Sequence, residues 1–357
     1  MPNMIITIIG GGHLGHVCAG FLSACKLIPS VEGEVKVRLL TRRPADWDAH
    51  LTVTDPDGKV FKGNISLITS DYTEALSGAD IVLLCLPGYS IREMLEKIAE
   101  HLEPHTAVGA IVASTGFFFH AFDVLKKTQP LFGFQRVPFI ARTKEYGHSA
   151  DLLGYKPSLS VAIEQTEDKD TLRATLQDLF RCPVNLLESF YEVSLSNSNP
   201  LLHTSRIYSL LQDHSEGKLY DRVPFFYKEW TEEAASLYIA MDCELQALLR
   251  VLGVREGAIP DVLTYYESTD AASLTRKLRS IPAFQGIPAP MKEADAQGQC
   301  QCQSQCQNRY VPDFSSRYFT EDFAIGLCFT RNLCRENGVP CPTMDKVYEW
   351  GERFLLK

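Results

Sequence analysis

Short apolar runs alternate with helix-patterned segments through the first half of the chain, and apolar positions at helical spacing take over in the second. The run Met4 to Ile9 enters Gly10-Gly11-Gly12-His13-Leu14-Gly15, and a small-residue helix through Ala19, Gly20 and Ala24 follows. Glu34 to Leu40 alternates as a second strand. Ala79 to Pro87 and Val108 to Ala113 are continuously apolar, as strands covered on both faces are. Between them lie a short helix beginning at Asp71 and an amphipathic helix from Ser90 to His101. Phe134 to Arg142, Leu159 to Ile163 and Pro183 to Leu187 are expected as further strands, with a helix near Asp170 to Phe180. This order predicts an α/β first half built on a doubly wound parallel sheet. From Glu188 onward the pattern is helical: Thr231-Glu232-Glu233 opens a long helix whose apolar face includes Leu237, Met241, Leu245, Leu248 and Leu252, and Gly253 stops it. The expected division is 1–188 and 189–357, the second part all-helical.

Strand, glycine turn and helix in that order form the first βα turn of a Rossmann-type dinucleotide-binding fold. Gly10 would make the tight turn, Gly12 would admit the pyrophosphate, and Gly15 would allow close helix packing, with Gly11, His13 and Leu14 completing the loop. An ordinary turn is the bland alternative. The second strand ends at Thr41-Arg42-Arg43, where an NAD site usually carries an acid for the ribose hydroxyls. Two guanidinium groups and a hydroxyl suit a 2′-phosphate, so NADP(H) is favoured, with NAD(H) left open and a solvated basic strand end as the alternative. In parallel sheets ligands lie at the carboxyl ends of strands, so Pro87 and Ser114-Thr115 are expected to border the nicotinamide end.

A length of 357 residues with 45% hydrophobic composition supports two cores. The net charge of −9, without a basic block, makes nucleic acid an improbable partner, and no apolar run reaches membrane-spanning length. The N-terminal run stops at Gly10, too short for a signal peptide, so a cytoplasmic location is expected. Eleven cysteines are an odd count. Cys18, Cys25, Cys85, Cys243, Cys328 and Cys334 fall in apolar or helical patterns, where a thiol packs as a small hydrophobe, and free thiols are expected. The stretch 282–308 is proline-rich and then glutamine- and cysteine-rich, and reads as a mobile low-complexity loop. Cys300, Cys302 and Cys306 lack a histidine or second cysteine pair beside them, so no metal site is expected.

Two helical segments place polar residues where packing prefers apolar ones. In Asn199-Pro200-Leu201-Leu202-His203, Asn199 reads as N-cap and Pro200 as the first helical residue. His203 then shares a face with Ile207 and Leu210, either as a packed histidine or as a general acid or base. In Arg317-Tyr318-Phe319-Thr320-Glu321-Asp322, Thr320 reads as a cap with acids in the first turn. Gly326, one turn beyond Asp322, suggests close approach of a neighbour.

Together with the glycine turn and the stretch Arg136-Val137-Pro138-Phe139-Ile140-Ala141-Arg142-Thr143-Lys144-Glu145-Tyr146-Gly147, these two segments resemble the opine dehydrogenases, the octopine and nopaline dehydrogenase family. The resemblance implies a Rossmann domain joined to an all-helical domain and a reductive condensation, at the cleft, of an amino acid with a 2-oxo acid. It also implies small-molecule substrates, with a homodimer left open. By matching position it makes His203 and Asp322 the catalytic pair and Arg317 the anchor of the oxo-acid carboxylate, with Asn199 and Arg136 as further substrate contacts. A ketopantoate reductase-like enzyme acting on a free oxo acid or ketone, and a nucleotide-binding sensor without turnover, are the alternatives.

Overall fold

A computed structural model describes residues 3–114, 116–294 and 309–355, and the chain divides into two compact units, 1–197 and 198–357. The strands of the first unit are β1 (Met4–Ile9), β2 (Val35–Leu40), β3 (His50–Thr54), β4 (Val60–Asn64), β5 (Leu67–Thr69), β6 (Ile81–Leu84), β7 (Ala107–Ile111), β8 (Leu131–Phe134), β9 (Phe139–Glu145), β10 (Ser149–Tyr155), β11 (Leu159–Glu164) and β12 (Val184–Leu186). Eight of them form one sheet in the order β12-β11-β8-β7-β6-β1-β2-β5. All its pairings are parallel except β8 with β11, so the expected parallel sheet carries one antiparallel junction. β6 and β7 are buried at every position, as their continuous apolar runs require.

The strand order reverses at β1. Beyond that point, β1 runs into Gly10 and β6 into Cys85-Leu86-Pro87, so the glycine turn and Pro87 meet at the switch point where ligands of such sheets bind.

A second sheet, β4-β3-β10-β9, had no clear signature in the sequence. The single strand expected over Phe134 to Arg142 is two strands, β8 in the large sheet and β9 in the small one. Pro138 lies between them, lacks an N–H for a ladder and fixes φ, so the chain turns there from one sheet to the other. The helix His13–Ser23 buries Val17 and Phe21 in one core with Leu51, Val53, Phe61 and Phe139 of the small sheet.

The described secondary structure of the second unit is largely helical. Its long helix Glu232–Val251 is capped by the Thr231 hydroxyl, which accepts from the Ala234 N–H, and Gly253 follows it at φ +69°. Glu244 is buried on this helix, and its carboxylate accepts the backbone N–H groups of Thr343 (2.6 Å) and Met344 (2.9 Å). A carboxylate there complements the positive end of the helix Pro342–Leu355. The stretch expected as a loop from Pro282 is partly ordered: a 3-10 turn spans Pro282–Phe284, and β13 (Met291–Glu293) pairs antiparallel with β14 (Tyr310–Pro312). The low-complexity part, with Cys300, Cys302 and Cys306, lies outside the described residues. Cys18, Cys85 and Cys334 are buried free thiols, whereas Cys243 is exposed because it falls on the outer face of its helix.

Candidate active site

The first unit carries a cleft of about 640 Å³ lined by Gly10, Gly11, Gly12, Thr41, Arg42, Arg43 and Pro87, among others. The three glycines of the motif differ in what a side chain would meet. At Gly10, φ is +122° and a Cβ would lie 2.5 Å from the Cys85 carbonyl oxygen. At Gly15 it would lie 1.9 Å from the Gly10 carbonyl oxygen, and at Gly12 it would meet nothing within 4 Å. Turn and helix are thus locked together at Gly10 and Gly15, and space is left open at Gly12. That pattern fits a pyrophosphate cradle, with the first N–H groups of the helix His13–Ser23 at its mouth.

His16, fully buried, fixes the rim. Its Nδ1 lies 2.9 Å from the Gly12 carbonyl oxygen, and its Nε2 accepts from the Gly147 N–H at 2.9 Å. Nδ1 therefore carries the proton in the neutral ring. Burial lowers the His16 pKa, against the bond to Gly12, which raises it. Gly147 follows Tyr146, and the Arg43 guanidinium lies 4.2 Å from the centre of the Tyr146 ring. Arg43 also pairs with Asp46 at 3.4 Å. The cleft is basic at Arg42, Arg43 and Lys97, with Glu93 bound to Lys97 at 2.5 Å.

Other expected nucleotide contacts lie off this lining. His13 places its Nδ1 2.9 Å from the Thr143 hydroxyl, Leu14 packs against the core, and Ser114 is half-buried beyond β7. Thr115 lies outside the described residues.

In the second unit the helix Asn199–Leu211 lies against a π-helix, Tyr318–Leu327. Two rungs set the register. A Cβ at Gly326 would come within 2.3 Å of Pro200 Cγ, and His203 Nδ1 lies 2.7 Å from Asp322 Oδ2. Numbers rise on one helix as they fall on the other, so the pair is antiparallel. The close approach suspected at Gly326 is that of Pro200. A carboxylate can only accept, so Nδ1 donates to Asp322 and Nε2 keeps its lone pair in the neutral ring. Nε2 in turn lies 2.8 Å from the Tyr227 hydroxyl. His203 and Asp322 side chains are 13% and 15% exposed, enough enclosure for their charges to matter more than at a surface.

The family pattern for the α-helical domain of NAD/NADP octopine/nopaline dehydrogenases matches residues 186–355, and that of ketopantoate reductase PanE/ApbA matches residues 6–114. An opine dehydrogenase of Haliotis discus hannai is 27% identical, over 99% of this chain and 91% of its own. A tauropine dehydrogenase of Arabella iricolor is also 27% identical, over 99% and 92%. Residues 186–355 belong to that octopine/nopaline dehydrogenase helical family. The chain's fold matches the structure of octopine dehydrogenase with NADH and pyruvate at a TM-score of 0.81, with 23% identity over 99% of this chain and 89% of the other.

Within this chain, three local expectations change. Ser198 is the N-cap of the His203 helix and Asn199, exposed, its first residue. The Pro200 ring, preset for a helical first turn, is tolerated one position further in because the N–H there would be unpaired anyway. Thr320 caps nothing: its hydroxyl donates to the Ser316 carbonyl within a helix that begins at Tyr318. The expected α-helix is a π-helix, whose wider turns are frequent at functional sites.

Arg317 is 85% exposed, and its Nε and Nη2 donate to the two Glu321 oxygens at 3.2 and 2.9 Å. Arg136 is exposed and donates from Nη2 to the Ser196 carbonyl at 3.1 Å. Tyr227 was not singled out in the sequence. Its segment, Phe225-Phe226-Tyr227, reads as an ordinary aromatic packing run, and only the fold brings its hydroxyl to His203.

Among the described residues, no helix is long and apolar enough to cross a membrane, and no cluster of His, Cys, Asp or Glu could hold a metal ion.

Proposed function

We propose that this protein is an NAD(P)H-dependent opine dehydrogenase that condenses the amino group of an amino acid with a pyruvate-like 2-oxo acid and reduces the product, and that it runs the reverse as well. The observation that carries the reading is the imidazole of His203 held between the Asp322 carboxylate and the Tyr227 hydroxyl in a segment of this family. Bound NAD(P)H supplies the hydride. His203 supplies and takes the proton at the oxo oxygen, and Asp322 orients the ring and stabilises its protonated form. Arg317 anchors the oxo-acid carboxylate. Its guanidinium fork already holds one carboxylate, that of Glu321, so substrate exchanges for a group of the same shape and charge. Asn199, at the start of the His203 helix, and Arg136 contribute further polar contacts to substrate. Arg317→Lys keeps the charge and loses the fork. It should raise the KM for the oxo acid about tenfold or more while nucleotide affinity stays at the wild-type value.

Gly10 to Gly15 cradle the pyrophosphate, Thr41, Arg42 and Arg43 take the 2′-phosphate, and Pro87, Ser114 and Thr115 border the nicotinamide end. NADP(H) is then the preferred cofactor. Replacing Arg42 and Arg43 together with alanine should raise the KM for NADPH roughly 10²- to 10⁴-fold, since charge-assisted bonds contribute about 1.5–3 kcal/mol each, and leave NADH nearly unaffected. Equal loss for both cofactors would remove the arginines from the phosphate site.

A free-oxo-acid reductase is the competing reading, favoured by the ketopantoate reductase match over residues 6–114. Oxidation of NADPH and NADH, with a panel of oxo acids in the presence and absence of amino acids, decides between them when product masses are recorded. Full turnover without any amine would overturn the opine reading.

A further inference from the structure

The Tyr227 hydroxyl sits on the one ring nitrogen of His203 that Asp322 leaves open. In most general-base arrangements that nitrogen faces the reacting group. Here Tyr227 cannot step aside easily. Its ring stacks on Phe284 at 4.1 Å and lies parallel to Trp230 within 7° at 5.9 Å, and the residue is 5% exposed.

The backbone on both sides of Tyr227 is pinned as well. Arg206, buried one turn beyond His203 on the same helix, donates from Nε to the Phe226 carbonyl at 2.9 Å. Arg279 donates from Nε to the Trp230 carbonyl at 2.8 Å. The Phe226 N–H donates to the Ile287 carbonyl at 2.8 Å, and the Ala289 N–H to the Pro224 carbonyl at 2.9 Å. The proline-rich stretch after Pro282 therefore holds this segment from outside. A buried arginine spent on a carbonyl, with the histidine on its own helix, makes the His203–Tyr227 spacing a property of the scaffold.

We propose that Tyr227 is a catalytic residue of this reaction, the outer member of a relay Asp322–His203–Tyr227 through which protons pass between His203 and the substrate oxygen. The inference rests on the opine reading above. In the condensing direction the Tyr227 O–H proton moves to the departing hydroxyl of the amine adduct, whose C–O bond breaks to release water. The Nε2–H proton of the His203 imidazolium moves to the tyrosine oxygen in the same step. The C–O pair leaves with the water, the nitrogen lone pair closes the C=N bond, the tyrosine and the imidazole both end neutral, and hydride then adds two electrons to the imine carbon. The groups facing the Tyr227 hydroxyl are His203 from one helix, Asp322 and Tyr318 from the π-helix, and Tyr266. Burial first, then Tyr318, Tyr266 and Asp322, pushes the Tyr227 hydroxyl well above the ordinary tyrosine value, so it keeps its proton at working pH.

Tyr227→Phe tests the relay because it keeps the ring stack and removes one oxygen. Turnover should fall roughly 10²-fold, within the usual range for a lost general acid, with the unfolding midpoint and nucleotide affinity unchanged. In a His203→Ala background the same change should cost nothing further. Fluorotyrosine at position 227 of the full-length protein, which keeps the hydroxyl on the same ring, should restore turnover. Wild-type turnover in Tyr227→Phe together with an inactive His203→Ala would overturn the relay and leave the opine reading standing. An active His203→Ala would overturn both. A fluorotyrosine enzyme as slow as Tyr227→Phe would reduce Tyr227 to a packing partner of the imidazole.

Discussion

His203→Ala lowers turnover by roughly 10²- to 10⁴-fold, the usual span for general acid-base catalysis, while nucleotide affinity, measured by fluorescence titration, stays near wild type. The contrast follows from position: His203 is bonded to Asp322 and Tyr227 in the second unit, whereas the glycine cradle is built in the first. Asp322→Asn lowers turnover too, since an amide at the same 2.7 Å contact carries no charge to balance the protonated ring. Combining Asp322→Asn with His203→Ala should cost little beyond His203→Ala alone, because the two act through one proton. Losses that multiply would show the aspartate working independently, as a helix-terminal acid, and would take it off the catalytic list.

Gly15→Ala is expected to damage folding and nucleotide binding together. Its methyl group would lie 1.9 Å from the Gly10 carbonyl oxygen, so helix and turn must separate. Overpacking of this kind costs about 1–3 kcal/mol, read as a lower unfolding midpoint, and displacement of the cradle should weaken NADPH binding at least tenfold. Gly12→Ala separates the two effects. A Cβ there meets nothing within 4 Å, so stability should change by no more than about 0.5 kcal/mol, as at a surface site. The methyl group nonetheless enters the space left for the pyrophosphate, and nucleotide affinity should fall. A Gly12→Ala protein that binds NADPH as wild type does would place the phosphates elsewhere.

How much of this was legible in the chain differs from element to element. β1, the glycine turn and the helix after it follow from local rules alone, because an apolar run, a forced positive φ and a helix start are each set by neighbours in sequence. β6 and β7 were legible for the same reason, burial on both faces leaving a run with no polar interruption. The small sheet was not. Of its strands, β4 keeps a weak alternation and β9 follows Pro138 without a break in apolar character, so only pairing with β3 and β10 defines them. The π-helix escaped because its residues read equally well as an α-helix, and hydrogen bonds one residue longer leave no mark on composition.

The residue types of the proposed reaction were present in the chain in order: glycines for a cradle, arginines after the second strand, a histidine behind Asn-Pro, an aspartate before a helix glycine. Their identity and local spacing belong to the sequence. Tertiary structure decided which of them meet. Pro200 against Gly326 sets an antiparallel register that carries His203 to Asp322 across 119 positions of sequence, and no local rule spans that separation. The same packing turned Tyr227, one aromatic among many, into the partner of Nε2. Arg136 meets the Ser196 carbonyl across 60 positions, whereas Arg317 and Glu321 pair locally, one helical turn apart. A chain states propensities over a few residues. Long-range contacts and burial, which alone fix what a buried hydroxyl or carboxylate touches, come into being only when the core closes.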